Sequence, residues 1–367
     1  MRIAYLLTSL GIGGAERQVT VLAARMSQRG HAVALLVLGP RAPEEWTVDV
    51  PTHYLGICRT PWSLGAGLLQ ARRFLRGFAA DVIHSHGFHG NIVNRLVSPG
   101  MQKPVTVGTI HNVYEGGWLR MLVYRLTDGL TCRTTAVSEA VARRFVRLGA
   151  VSAERCVVIR NAVEMEELVP DAERRRVVRS RNRAGGGFIW LAAGRAVPAK
   201  DYPTMLRAFA RVQANRPDTQ LWIAGEGSET DGPLQALAAN LGLQHSVRFL
   251  GLRRDLPALL DAADGFVMSS AWEGMPLAAG EAMAMEKEVV ATDVGGVREL
   301  TGDAARVVPC RDPGALAGAM AVVMQESAAE RQARGRAARD RIREDFNMQT
   351  RAEEWESFYR SLLDARR

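Results

Sequence analysis

Ser269–Leu300 reads SSAWEGMPLAAGEAMAMEKEVVATDVGGVREL. It sets two glutamates, Glu273 and Glu281, eight positions apart with Gly-Met-Pro-Leu-Ala inside the interval. Apolar runs flank it, Gly265–Met268 before and Glu288–Thr292 after, so a strand, a tight loop and a helix start are the expected setting. The N–H groups at a helix N-terminus have no intrahelical partner, and with the macrodipole they favour a phosphate. Pro276 suits the first helical turn, where its missing N–H leaves nothing unpaired. Carboxylates on either side of such a nest serve hydroxyl groups, which donate to their oxygens. Phosphate together with hydroxyls describes a sugar nucleotide. The plainer reading is two surface glutamates around a helix start, with Glu281 favourable in the first turn.

Outward from this stretch, short apolar runs alternate with helical patterns along the whole chain. The first series of expected strands is Ile3–Leu7, Ala32–Leu38, Asp81–His84, Val105–Ile110, Thr134–Val137 and Val157–Ile159. The second is Phe188–Ala193, Gln220–Ala224, Val247–Leu250, Gly265–Met268, Val289–Thr292 and Ala305–Val308. Helices such as Ala15–Arg29, Ser63–Phe78 and Ser138–Leu148 lie between them. Alternation of this kind gives parallel sheets with crossover helices, and two series of about six strands give two doubly wound domains. A chain of 367 residues is also longer than one ordinary core. The boundary is expected between Asn161 and Gly187, where Glu164–Arg183 is highly charged. Its arginines (Arg174, Arg175, Arg176, Arg179, Arg181, Arg183) read as a solvated, flexible connector.

Composition narrows the function. A hydrophobic fraction of 47% with 35 glycines fits a soluble α/β protein, and no apolar run reaches the length of a membrane span. Cys58, Cys132, Cys156 and Cys310 are scattered without a C-x-x-C pair, which points to reduced thiols in a cytoplasmic protein. The net charge of +8 admits nucleic acid, anionic lipid or phosphorylated substrates as partners. It is almost all arginine, Lys103, Lys200 and Lys287 being the only lysines. No basic-aromatic ribbon or zinc-finger pattern supports nucleic acid.

Several loops carry groups suited to chemistry. In Gly194–Asp201 an arginine and a lysine, Arg195 and Lys200, follow the first strand of the second series and can face one phosphate cluster. Their charge would stabilise a departing diphosphate; a surface charge pair is the alternative. Thr8–Arg17 is a glycine loop without the full dinucleotide spacing. His111 ends a parallel strand, where ligands of open α/β sheets bind. His84, His86 and His89 lack a carboxylate or cysteine to complete a metal site, and strand-end packing with hydroxyl contacts is the better reading. Ser138 and Glu139 begin a helix as an N-cap pair.

The 269–300 segment resembles the E-x7-E signature of the retaining glycosyltransferases of family 4, also called glycosyl transferases group 1. The resemblance extends over most of the chain. It implies a GT-B fold: an N-terminal Rossmann-like acceptor domain over residues 1–165 and a nucleotide-sugar domain over 166–345. A helix over 346–367 would cross back to the first domain, and a cleft would lie between the two. The family's G-R-x-x-x-x-K pattern matches Arg195 and Lys200 as grips on the donor diphosphate. Glu281 is then the ribose ligand and Glu273 the residue beside the donor sugar, with Gly274, Met275, Pro276, Leu277 and Ala278 offering the loop amides. Arg253, in the turn Gly251–Asp255, faces the base. Gly13 and Gly14 of a G-G-A-E turn let backbone approach the donor phosphate or the acceptor. Glu16 holds an acceptor hydroxyl or caps its loop, His86 stands by the acceptor, and His111 lies near the reacting sugar. His111, Arg195, Lys200 and Glu273 make up the expected catalytic set.

The resemblance further implies no metal and no cofactor. A uridine donor is placed ahead of guanosine, the acceptor is a glycan or lipid-linked glycan, and a front-face reaction passes the acceptor proton to the departing phosphate. Relatives with G-G-A-E-R near the N-terminus often build polysaccharides on lipid carriers. Peripheral contact with anionic membrane through Ala71–Phe78 and Val141–Leu148 is therefore expected, a solvated helix face being the alternative. Two departures stand out. Asn161-Ala162-Val163-Glu164 replaces N-G-V-D, and Met285-Glu286-Lys287-Glu288 replaces C-G-x-P. Outside the family, a nicotinamide oxidoreductase leaves Arg195, Lys200 and both glutamates unexplained, and a non-catalytic polyanion-binding protein predicts no effect of changing Glu281.

Overall fold

The computed structural model describes residues 1–41, 44–58, 60–101, 104–228 and 232–366. The chain forms two compact units, Met1–Ala162 together with Met348–Arg367, and Val163–Asn347.

The first unit runs β1 (Arg2–Leu7), α1 (Gly14–Gln28), β2 (Ala32–Val37), β3 (Thr52–Tyr54), α2 (Pro61–Gly77), β4 (Val82–His86) and α3 (Gly87–Val97). It continues with β5 (Val105–Ile110), α4 (Trp118–Thr127), β6 (Arg133–Ala136), α5 (Glu139–Arg147) and β7 (Cys156–Val158). The second unit begins with α6 (Ala172–Arg181), β8 (Ile189–Ala193), α7 (Tyr202–Asn215), β9 (Gln220–Ala224), α8 (Pro233–Asn240) and β10 (Val247–Gly251). It goes on through α9 (Leu256–Ala262), β11 (Gly265–Met268), α10 (Leu277–Ala284), β12 (Glu288–Thr292), α11 (Val297–Thr301) and β13 (Arg306–Val308). Two helices, α12 (Pro313–Gln325) and α13 (Ala328–Asp345), finish it, and α14 (Met348–Asp364) belongs to the first unit.

Both sheets are parallel, in the orders β3-β2-β1-β4-β5-β6-β7 and β10-β9-β8-β11-β12-β13. Strands buried on both faces read as unbroken apolar runs, and β1 shows why. Its Ile3, Tyr5 and Leu7 meet α1 and α14, whereas Ala4 and Leu6 meet α2 and α3 on the opposite face. The α1 helix stops at a left-handed Gly30 (φ 82°), with Gly30 N–H donating to Ser27 O at 2.9 Å and His31 N–H to Met26 O at 3.2 Å. That is a Schellman end, which glycine adopts without steric cost.

In each sheet the chain reverses direction once, between β1 and β4 and between β8 and β11. Successive crossovers there pass to opposite faces: α7 packs on α12, whereas α10 packs on α13. The carboxyl ends of those central strands are thus left open, which is where such sheets take ligands.

Four expectations change. The first sheet has a seventh strand, β3, only three residues long and paired to β2. The arginine-rich connector is a helix, α6; Arg174, Arg175 and Arg179 are structural, whereas Arg176, Arg181 and Arg183 are exposed as expected. Arg175 donates to Asp261 O, Ala262 O and Ala263 O at 2.8, 3.0 and 2.8 Å, and Arg179 reaches Asp264 at 3.1 Å. Arg174 pairs with Asp261. Arg175 and Arg179 serve the unpaired carbonyls at the end of α9, so half of this charge is consumed locally rather than solvated. Pro276 is the N-cap of α10, one position before the first turn. Phe346 closes α13 rather than opening the last helix.

The Met285–Glu288 turn closes α10 without glycine. Glu286 sits at φ 59°, with Glu286 N–H donating to Met283 O at 3.0 Å and Lys287 N–H to Ala282 O at 2.9 Å. This too is a Schellman end, adopted by a residue that has a Cβ to accommodate.

Candidate functional site

In the second unit the chemistry gathers above β8 and β11. Gly194 follows β8 at φ 152°, and a Cβ there would stand 2.7 Å from Lys200 Cε. Gly225, after β9, lies so close that its Cβ would be 1.8 Å from Gly194 O. The loop between Gly194 and α7 is held at several points. Tyr202 OH donates to Gly194 O at 2.7 Å, and Ala271 N–H to Ala199 O at 2.8 Å. Ser269 Oγ reaches Lys200 O and Asp201 O at 2.7 and 2.9 Å. Burial pushes the Tyr202 hydroxyl well above its ordinary range, keeping it a donor.

These restraints deliver Lys200 Nζ to Glu273 Oε1 at 2.6 Å, and Ser270 Oγ donates to the same oxygen at 2.7 Å. Ser270 is itself tied down by Thr292 Oγ1, which donates to its carbonyl at 2.6 Å. Glu273 is 8% exposed and Glu281 6%. Glu281 is the fifth residue of α10, so it lies beyond the first turn and the macrodipole does not account for it. Between the glutamates, Gly274, Met275 and Pro276 are buried and Leu277 and Ala278 half-buried. The loop is pinned from β12 by Gly296 N–H donating to Gly274 O at 2.8 Å, and a Cβ on Gly295 would meet Glu273 O at 1.9 Å. The first amides of α10 have no intrahelical acceptor. Arg195 is exposed on the same loop as Lys200 and forms no ion pair among the described residues. Arg253, after β10, is held by Asp255 through two contacts of 2.8 and 2.6 Å.

The first unit has its own cluster at the ends of β1, β4 and β5. Gly13 is the N-cap of α1, and the Glu16 carboxylate folds over it: a Cβ on Gly13 would be 2.3 Å from Glu16 Oε2. Ser9 Oγ donates to Glu16 Oε1 at 3.4 Å, so the loop-capping reading of Glu16 has a geometric basis. Gly14 opens the helix. His84 is fully engaged by hydroxyls, Nδ1 with Tyr359 OH and Nε2 with Thr109 Oγ1, both at 2.6 Å. His86 Nδ1 meets His111 Nε2 at 3.0 Å. Burial drives the His111 imidazole down to about 4 and His84 and His86 well below their ordinary value, so all three are neutral at neutral pH. His86 Nε2 and His111 Nδ1 are buried and have no hydrogen-bond partner. No group of three metal-ligating side chains occurs among the described residues.

Sequence reasoning passed over Glu115. Its carboxylate accepts from His111 N–H at 3.1 Å and from Tyr124 OH at 2.7 Å, and burial raises it to about 7. An acid four residues past His111 in a Gly-Gly loop is the signal that would have found it. Ser270 and Ser228 were also missed; Ser228 Oγ accepts from Gly251 N–H at 3.2 Å and joins the ends of β9 and β10.

Comparison with known proteins gives this geometry a class. The structure of HepE from Anabaena with UDP and glucose superposes with a TM-score of 0.86 over 98% of this chain and 100% of that one, at 20% identity. The fold is that of the GT-B glycosyltransferases, two Rossmann-like parallel-sheet domains. The description "Glycosyltransferase Family 4" matches residues 12–167, and "Glycosyl transferases group 1" matches residues 173–341. Together they span most of the chain, which belongs to this glycosyltransferase family and is a transferase. Glycogen synthase of Mycobacterium tuberculosis is 28% identical over 92% of this chain and 89% of its own length. An Escherichia coli UDP-Gal:alpha-D-GlcNAc-diphosphoundecaprenol alpha-1,3-galactosyltransferase is 25% identical over 62% of each.

Proposed function

We propose that this protein is a retaining glycosyltransferase that moves a sugar from a UDP-sugar to a hydroxyl of a glycan or lipid-linked glycan. The observation that carries the reading is the Lys200–Glu273 pair, held at 2.6 Å where the second sheet reverses, with Arg195 uncommitted beside it. A cation and a carboxylate fixed together at the carboxyl ends of the central strands suit a sugar diphosphate: cations for phosphate, carboxylate for hydroxyls. Two similar proteins support the donor and the acceptor, HepE with UDP and glucose bound and the galactosyltransferase named for a diphosphoundecaprenol-linked sugar.

In this reading Lys200 turns from Glu273 to the diphosphate on binding, and Glu273 takes up hydroxyls of the transferred sugar. Arg195 and the amides of Gly274–Ala278 share the phosphate charge, and Glu281 holds the ribose. The base lies toward Arg253; β10 is two strands from β8, a lateral distance of about 10 Å. As the sugar's C1–O bond to the phosphate breaks, the acceptor oxygen bonds to C1 on the same face and its proton passes to the phosphate oxygen. Arg195 and Lys200 stabilise the charge that develops there. With two cations in place the reaction requires no metal. Gly13 and Gly14 are assigned to the donor, Glu16 and His86 to the acceptor, and His111 to the donor sugar. Among the described residues no helix is long and apolar enough to cross a membrane. The protein acts in the cytoplasm, in peripheral contact with anionic lipid that carries its acceptor.

Thermal shift against UDP, GDP, ADP and TDP and their sugars, with and without EDTA and repeated with Glu281→Ala, tests the reading. Ligand bound to the folded state raises the transition temperature. Stabilisation by uridine nucleotides that Glu281→Ala abolishes is expected. No response to any nucleotide would sink the donor site.

A further inference from the structure

The arginines of this chain fall into two populations. About half of those in the second unit and on α14 have carboxylate partners, as Arg298 has Asp293 and Arg360 has Glu356. On α2, α4 and α5 the exposed Arg73, Arg76, Arg125, Arg143 and Arg147 have no ion pair among the described residues. The sequence offers α2 and α4 few, since from Thr60 to Thr127 the only acids are Asp81 and Glu115, and Glu139, which opens α5, forms no ion pair with Arg143 among the described residues. Asp81 accepts from Arg2 N–H, and Glu115 is taken up by His111 and Tyr124.

Between these charges lies apolar surface turned outward. Tyr124 anchors α4 to the unit, with its ring against Phe145 of α5. Trp118 (77% exposed), Leu119, Leu122 and Leu126 (74%) therefore occupy the opposite arc. At 100° per residue these four span about 100° of the helix, and Arg125 borders them, while Arg120 lies toward the buried side over the Phe88 ring. α3 touches both α2 and α4, and α2 adds Trp62 (89% exposed), Leu64 and Leu69. A helix with tryptophan and leucine on its outer arc, an arginine at its margin and no acid has the character of one lying in a lipid interface.

We propose that α2, α4 and α5 form a docking face for an anionic lipid surface. α4 inserts Trp118, Leu119, Leu122 and Leu126 at the acyl boundary, and the unpaired arginines contact the phosphates. The proposal rests on the peripheral reading above and gives it a place. It shifts the apolar anchor to a helix outside the two arginine-bearing stretches read from the sequence.

The test is co-sedimentation of the full chain with phosphatidylcholine vesicles and with equimolar phosphatidylcholine–phosphatidylglycerol vesicles, at low and high salt. Wild type is expected to pellet with the anionic vesicles at low salt and to be released by salt. Leu122→Ser/Leu126→Ser lowers the partition coefficient about a hundredfold or more, since each leucine returned to water is worth about tenfold. Val322→Ser, an exposed apolar residue of the second unit, changes nothing. Unaltered melting and UDP response in the double variant show that it is folded. Wild type that ignores anionic vesicles overturns the proposal, as does a double variant that pellets like wild type. So does a self-association, seen by sedimentation velocity without vesicles, that the double variant abolishes, because the face would then join copies of the chain. Vesicle binding without any nucleotide response would leave the face standing and remove the transferase reading instead.

Discussion

Replacing Lys200 and Glu273 singly and together separates what the pair does for the fold from what it does for catalysis. Lys200→Met leaves the Glu273 carboxylate, 8% exposed, with Ser270 Oγ donating to it at 2.7 Å. Breaking a fully buried pair costs about 3–5 kcal/mol. Here the side chains keep 22% and 11% of their exposure, so about 1–3 kcal/mol is expected. For a unit of this size that lowers its melting transition by roughly 2–4 °C per kcal/mol. Glu273→Gln in the same background removes the uncompensated charge and keeps an acceptor for Ser270, so most of the loss returns. Activity behaves differently. Loss of a preorganised cation at the leaving group costs about 10²–10³ in kcat, and the second substitution restores none of it. Differential scanning calorimetry and a donor-turnover assay on the four proteins read the two effects. If activity recovers in the double variant alongside stability, the pair is structural and the catalytic assignment of Lys200 is wrong.

Glu286→Gly relieves a left-handed residue with a Cβ (φ 59°) at the end of α10, and the second unit should gain about 1 kcal/mol in a denaturant titration. Arg175→Ala strips three carbonyls at the end of α9 and a carboxylate of their donor; about 2 kcal/mol of stability is lost while the response to UDP persists. Burial raises Glu115 to about 7 from 4.5, so the folded state holds a proton there that the unfolded state has released. Its stability contribution therefore falls as pH rises from about 4.5 to about 7 and is level above that. Glu115→Gln should stabilise by about 1–3 kcal/mol at pH 8 and have no effect near pH 4, as melting curves at the two pH values will show.

Sequence pattern alone located most strands because a parallel strand buried on both faces is an unbroken apolar run, as Ile3–Leu7 and Gly265–Met268 are. β3 escaped because Thr52-His53-Tyr54 is too short to have a period and owes its state to pairing with β2. The connector was misread because charge density cannot distinguish arginines in water from arginines bonded to carbonyls eighty residues away. The spacing of Glu273 and Glu281, and of Arg195 and Lys200, was legible since each set lies on one loop. Their meeting with Ser270, Tyr202 and Ser269 was not, being a product of two loops brought side by side. The outward arc of α4 illustrates another limit: apolar periodicity reveals a stripe but not whether it faces the sheet or the solvent.

The first unit is discontinuous, and this imposes an order on its biogenesis. Trp355 and Tyr359 of α14 belong to its core, and the Tyr359 hydroxyl is bonded to the buried His84. Emerging from the ribosome, residues 1–162 therefore lack a wall of their own interior until the whole second unit has been made. Until then His84 has an unanswered nitrogen and one face of β1 has only α1 to cover it. The second unit has its whole sequence in one piece and is free to fold as soon as it is released. The N-terminal half of this enzyme is thus the last to be completed, and it is the half that a chaperone must shield.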